Sequence, residues 1–172
     1  EGVKRADATI TTGGTSVGYA DLVSSAVNKI GTPGVVVHGI AMRPGMPTAL
    51  AILHGKPVLI LSGNPVAAMI GFEVFARPIL LRLLGIESEP RPVVKAEITR
   101  RVAGALGRRV FLRVHTFQKD DEFFADPIRV KGAGILSTMT KANGYVIILE
   151  SREGLEEGEL VTVHLFDKVG GS

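Results

Sequence analysis

The sequence predicts an α/β chain in two parts: a partial parallel-sheet layer with helices, then a small antiparallel β domain. Three observations predict it. In the first half, β-branched runs stop at glycine and give way to apolar residues at helical spacing. Residues 85–92, G-I-E-S-E-P-R-P, read as a linker. Beyond them short strands follow one another, as in a barrel or a sandwich. The domain division is therefore 1–88 and 89–172.

Residues 8–12 form the first strand, ended by Gly13 and Gly14. Leu22, Val23, Ala26, Val27 and Ile30 then mark a helix over 21–30. Gly31-Thr-Pro-Gly34 stops it, and Val35, Val36 and Val37 open a second strand. Arg43-Pro-Gly-Met-Pro47 is a rigid loop. Residues 49–53 and 57–61 read as strands around the turn His54-Gly-Lys56. Asn64 is a natural N-cap and Pro65 suits a first helical position. The helix they open, 65–84, is apolar on nearly every side, with Glu73 and Arg77 as its wet stripe. Pro78 is expected to kink or divide it. In the second part, strands are expected at 93–98, 110–114, 122–125, 145–149 and 160–166, with one short helix at 136–143.

At 172 residues, with 45% apolar and 22% charged residues, the chain has the profile of a globular protein able to bury a core. It has no cysteine, which excludes disulfides, thiolate metal sites and thiol nucleophiles and fits a reducing, cytoplasmic setting. No apolar run reaches spanning length, so no membrane role is expected. A net charge of +3 permits an anionic small molecule but does not argue for nucleic acid. His38, His54, His115 and His164 lack metal-ligand spacing and read as structural. The first strand follows almost at once on Glu1, so the natural protein is expected to extend upstream.

Two places share one design: a strand, a turn of small residues and a helix start. One holds Gly13, Gly14, Thr15, Ser16 and Gly18; the other holds Ser62, Gly63, Asn64 and Pro65. Helix starts expose unpaired N–H groups, and glycine lets the backbone come close to an anion. As structure only, the same glycines supply a tight strand exit. Asp21 either caps the helix that begins near it or holds a divalent cation between substrate phosphates. Arg43, held in the loop with Pro44, Gly45 and Pro47, suits an oxyanion. The stretch 91–113 is strongly basic. Its plain reading is solvated hairpin faces; its sharper reading aims Arg108 or Arg113 at an anionic ligand.

Five ordered stretches resemble the molybdopterin molybdenumtransferases of the MoeA and gephyrin E-domain type. They are Ile10-Thr-Thr-Gly-Gly-Thr-Ser-Val-Gly-Tyr-Ala-Asp21, Ala41-Met-Arg-Pro-Gly-Met-Pro47, Leu61-Ser-Gly-Asn-Pro-Val-Ala-Ala68, Gly107-Arg-Arg-Val-Phe-Leu-Arg113 and Gly134-Ile-Leu-Ser-Thr-Met-Thr-Lys-Ala-Asn-Gly144. The resemblance implies half of a MogA-like parallel-sheet domain followed by a small antiparallel β-barrel-like domain. It implies insertion of molybdate into adenylylated molybdopterin with release of AMP, and Mg²⁺ as cofactor. A homodimer is expected on separate grounds, since the helix 65–84 has more apolar face than one small layer can bury. The family's Gly-Asp-Glu motif is not among these residues. Met46 and Ser62 stand where the family often has Lys and Pro. Two other functions compete: a non-catalytic molybdopterin-binding or scaffold module, and a nucleotide enzyme of another MogA-like family. The attached β domain argues against the last.

Overall fold

The computed structural model describes residues 2–14, 22–87, 89–128 and 141–167. In chain order its first elements are α1 (Gly2–Arg5), β1 (Thr9–Thr12), α2 (Leu22–Ile30), β2 (Pro33–His38), β3 (Met42–Arg43), β4 (Ala49–Leu53) and β5 (Lys56–Leu61). Next come α3 (Pro65–Gly71), a π-helical turn (Phe72–Ala76) and α4 (Arg77–Leu83). The strands that follow are β6 (Val93–Ile98), β7 (Val102–Ala103), β8 (Arg109–Lys119), β9 (Glu122–Pro127), β10 (Gly144–Ile148), β11 (Gly154–Leu155) and β12 (Leu160–Leu165). These make two compact units, one of Glu1–Ile40 with Pro44–Glu89, the other of Ala41–Arg43 with Pro90–Ser172.

The first unit is a sheet in the order β1-β5-β4-β2. Its pairing is more mixed than the predicted parallel layer. Only β1 and β5 run parallel, because the turn at His54 and Gly55 folds β4 and β5 into a hairpin. Both faces are covered, which explains the unbroken apolar run of β5. Val58 and Ile60 pack with Val27 of α2, while Leu59 and Leu61 pack with Ala76, Phe75 and Ile79. Pro78 divides the long helix as expected, and the break takes a specific form. A proline has no N–H, and its ring would strike the carbonyl four residues back. The chain inserts a π turn just before it, in which the Arg77 N–H donates to the Phe72 carbonyl.

The second unit is a five-stranded barrel. β10, β12, β6, β9 and β8 pair in that order, and β8 closes back on β10. The pairs are antiparallel except β6 with β9. The interior holds Ala96, Ile98, Val114, Ala125, Val146, Ile148, Val161, Val163 and Leu165. β3 adds to the start of β8 in parallel, and β7 with β11 forms a small ribbon. β8 is longer than the expected 110–114. The expected helix at 136–143 lies outside the described residues except for 141–143. Among the described residues no helix is long and apolar enough to cross a membrane.

Candidate functional site

The parallel pair β1–β5 places two predicted loops side by side. Thr12 lies opposite Leu61, so both strands end at the same level. The Gly13 N–H donates to the Leu61 carbonyl at 3.0 Å. A Cβ on Gly63 would stand 3.3 Å from the Gly13 Cα, so the backbones touch where only glycine fits without adjustment. Gly13 and Gly14 both have positive φ, 87° and 74°, the region that favours glycine. Ligands of open α/β sheets bind outside such carboxyl ends.

Around this contact the donors are unevenly available. Asn64 caps α3, its Oδ1 accepting from the N–H groups of Val66 and Ala67 at 3.1 and 3.2 Å. Its own N–H donates to the Ser62 Oγ at 3.2 Å. The first free amides of α3 are thus already spent inside the turn, and Pro65 has none. Gly63, Asn64 and Pro65 are exposed and Ser62 is half-buried. What the turn offers a ligand is the Ser62 hydroxyl proton and glycine backbone. Thr15, Ser16, Gly18 and Asp21 lie outside the described residues.

The loop from Pro44 to Pro47 is held by its backbone. Thr48 N–H donates to the Gly45 carbonyl, Ile40 N–H to that of Met46, and Gly39 N–H to that of Thr48. Gly45, with φ 104°, is buried at its centre. Arg43 itself belongs to the second unit. It lies opposite Val110, two residues past Arg108. Arg43 and Arg108 are both exposed at this corner, and among the described residues neither has an ion-pair partner. Their neighbour Arg109 is neutralised by a two-pronged bond to Glu150, at 3.1 and 3.2 Å.

Arg113 lies apart from that corner. It faces outward from β8 yet is only 8% exposed, and burial pushes its guanidinium pKa down. Tyr145 stands opposite it on β10, and His164 opposite Tyr145 on β12. That Phe111, Tyr145 and His164 gather beside Arg113 was not visible in the sequence. The signal that could have shown it is the alternation Phe111, Arg113, His115, Phe117 along β8, readable only once the strand's full length is known. A further cleft of about 490 Å³ runs along the β7–β11 ribbon. Its two arginines are already paired, Arg101 with Glu156 and Arg152 with Glu159.

Comparison with known proteins gives two family matches that together run along most of the chain. Residues 1–82 match the "Probable molybdopterin binding domain" and residues 95–166 the "MoeA C-terminal region (domain IV)". A molybdopterin biosynthesis protein of Methanocaldococcus jannaschii is 39% identical over 159 residues, covering 92% of this chain and 36% of that protein. The molybdopterin molybdenumtransferase of Bacillus subtilis is 31% identical over 172 residues, covering 100% of this chain and 40% of that enzyme. A crystal structure of a molybdopterin biosynthesis MoeA protein from Pyrococcus horikoshii superposes with a TM-score of 0.79 at 38% identity, covering 96% of this chain and 38% of that one. The chain thus spans about two fifths of the length of these relatives.

Proposed function

Because the chain belongs to the molybdopterin molybdenumtransferase family of MoeA type, we propose that it supplies part of the site that inserts molybdate into adenylylated molybdopterin, releasing AMP, in the cytoplasm. The observation that best supports this reading is the contact of Gly13 with Gly63. Two strand-end loops of the first unit meet there, and a phosphate set against this bare backbone would have the Ser62 hydroxyl beside it. Arg43 and Arg108 form a separate exposed cationic corner on the second unit, suited to drawing in an oxyanion such as molybdate. Arg113 is assigned the same substrate. The work is positioning and charge neutralisation.

Among the described residues no three His, Asp or Glu side chains converge as a metal site. A Mg²⁺ needs only one or two carboxylates beside substrate phosphates, and Asp21 is proposed to supply one. The proposed domain division is 1–88 and 89–172. A homodimer is proposed on the apolar flank of α4, where no residue is buried and Leu83 is half exposed. The alternative of a non-catalytic binding or scaffold module draws on one observation: Asn64 already occupies the amides that a phosphate at α3 would need.

The deciding experiment is calorimetric titration of the chain with AMP and, separately, with sodium molybdate. Gly63→Ala is expected to weaken AMP binding at least fivefold without unfolding the chain, and Arg43→Gln with Arg108→Gln to weaken molybdate. Unchanged affinities in these variants would overturn the assignment of both loops.

A further inference from the structure

We propose that Tyr145 is a positioning residue for Arg113, its ring serving as the fixed wall along which the guanidinium lies. The inference rests, for its functional meaning, on the reading of Arg113 as an oxyanion-binding group. Its structural basis is separate.

Arg113, Tyr145 and His164 form one row across β8, β10 and β12. Their strand neighbours Val114, Val146 and Val163 fill the barrel interior, so this row points outward. Other outward positions of the same barrel are exposed, among them His115, Phe117, Lys95 and Leu160. Arg113 and Tyr145 are each only 8% exposed. A guanidinium taken out of water must find its environment ready-made, since a disordered partner would leave it unsolvated.

The Tyr145 ring is well placed to be that environment because it is itself held on several sides. His164 stacks on it at 5.1 Å between centroids with 13° between planes. Phe111 packs against it at 5.8 Å and Phe166 at 5.7 Å. Residues directly opposite in an antiparallel pair bring their Cβ atoms to roughly 4.5–5.5 Å. Arginine stacks flat on aromatic faces, so a side chain facing Tyr145 across the strand pair can lie along its ring. The backbone of Arg113 is also pinned: Ile128 N–H donates to the Arg113 carbonyl.

The test reads the arginine directly. The Nε–Hε resonance of Arg113, assigned with Arg113→Lys, is expected to stand apart from the bulk arginines in the unmodified chain. Tyr145→Phe keeps the wall and should leave it there. Tyr145→Leu should return it to the bulk position while the backbone amides of Val146 and Val163 stay in place. His164→Leu, which keeps Tyr145 but removes its stacking partner, should shift or broaden the same resonance. An Arg113 signal unmoved by both Tyr145→Leu and His164→Leu overturns the inference. In sodium molybdate titrations, Arg113→Gln and Tyr145→Leu should each weaken binding about tenfold, and the double variant no further, as coupled residues do. Full additivity there would overturn it as well. If the unmodified chain fails to bind molybdate, the oxyanion reading of Arg113 falls, while the side-chain resonance still decides the role of Tyr145.

Discussion

Asn64 is one amide doing two jobs at the mouth of α3. Its Oδ1 takes two amides, and its N–H is braced by Ser62. Asn64→Ala is expected to cost about 1 kcal/mol, read as a lower urea midpoint, and Asn64→Asp to cost little, since both residues cap well. This cap was legible because Asn before Pro at the start of an apolar run has few other uses. The Gly13–Gly63 contact was not legible. It depends on β1 and β5 being parallel neighbours, and nothing within either loop records that pairing. Asp21, on which a cation reading turned, lies outside the described residues.

Among the elements, α3 sits unusually close to its sheet. A Cβ on Gly71 would come within 3.0 Å of Leu61 Cδ2 and 3.4 Å of Thr48 Oγ1. Gly71→Ala should therefore destabilise the chain by about 1–3 kcal/mol, the usual cost of overpacking, measured by chemical denaturation. Thr48 is fully buried, and among the described residues its hydroxyl has no hydrogen-bond partner. Thr48→Val keeps the shape and removes the unsatisfied group, so it should stabilise by about 1 kcal/mol. A fall in the denaturation midpoint would show that the hydroxyl is used. Local pattern served well for β1, α2, β2 and the β4–β5 hairpin, where each signal lies within a few residues. It failed for the π turn, because an extra residue in a helix leaves the apolar run looking continuous. It also failed for the parallel pair β6–β9 and the closure of β8 on β10, which join residues far apart in sequence.

At the scale of the whole molecule, acid should act through His164. Burial holds its pKa below the ordinary 6.5. The unfolded chain therefore takes up this proton more readily than the folded one, and the group's contribution is fully present above 6.5. It is lost as pH falls from 6.5 through the lower folded value. The cations on the neighbouring segment are engaged two residues to either side of it: Arg91, just before β6, donates to the Phe166 carbonyl, and Lys95 on β6 donates to the Thr162 hydroxyl. His164→Phe keeps a ring on Tyr145 and removes the titration, so its urea midpoint should fall less between about pH 7 and pH 5 than that of the unmodified chain. An identical slope would clear His164 of the effect. The excursion that lends β3 to the barrel has a different bearing. The chain passes between the units at 40/41, 43/44 and 89/90, and β3 lines the start of β8 on the side that β9 pairs further along. The second unit is therefore no cassette that recombination can lift out at one junction. A graft importing 90–172 must import 41–43 as well, or accept a barrel with one bare edge.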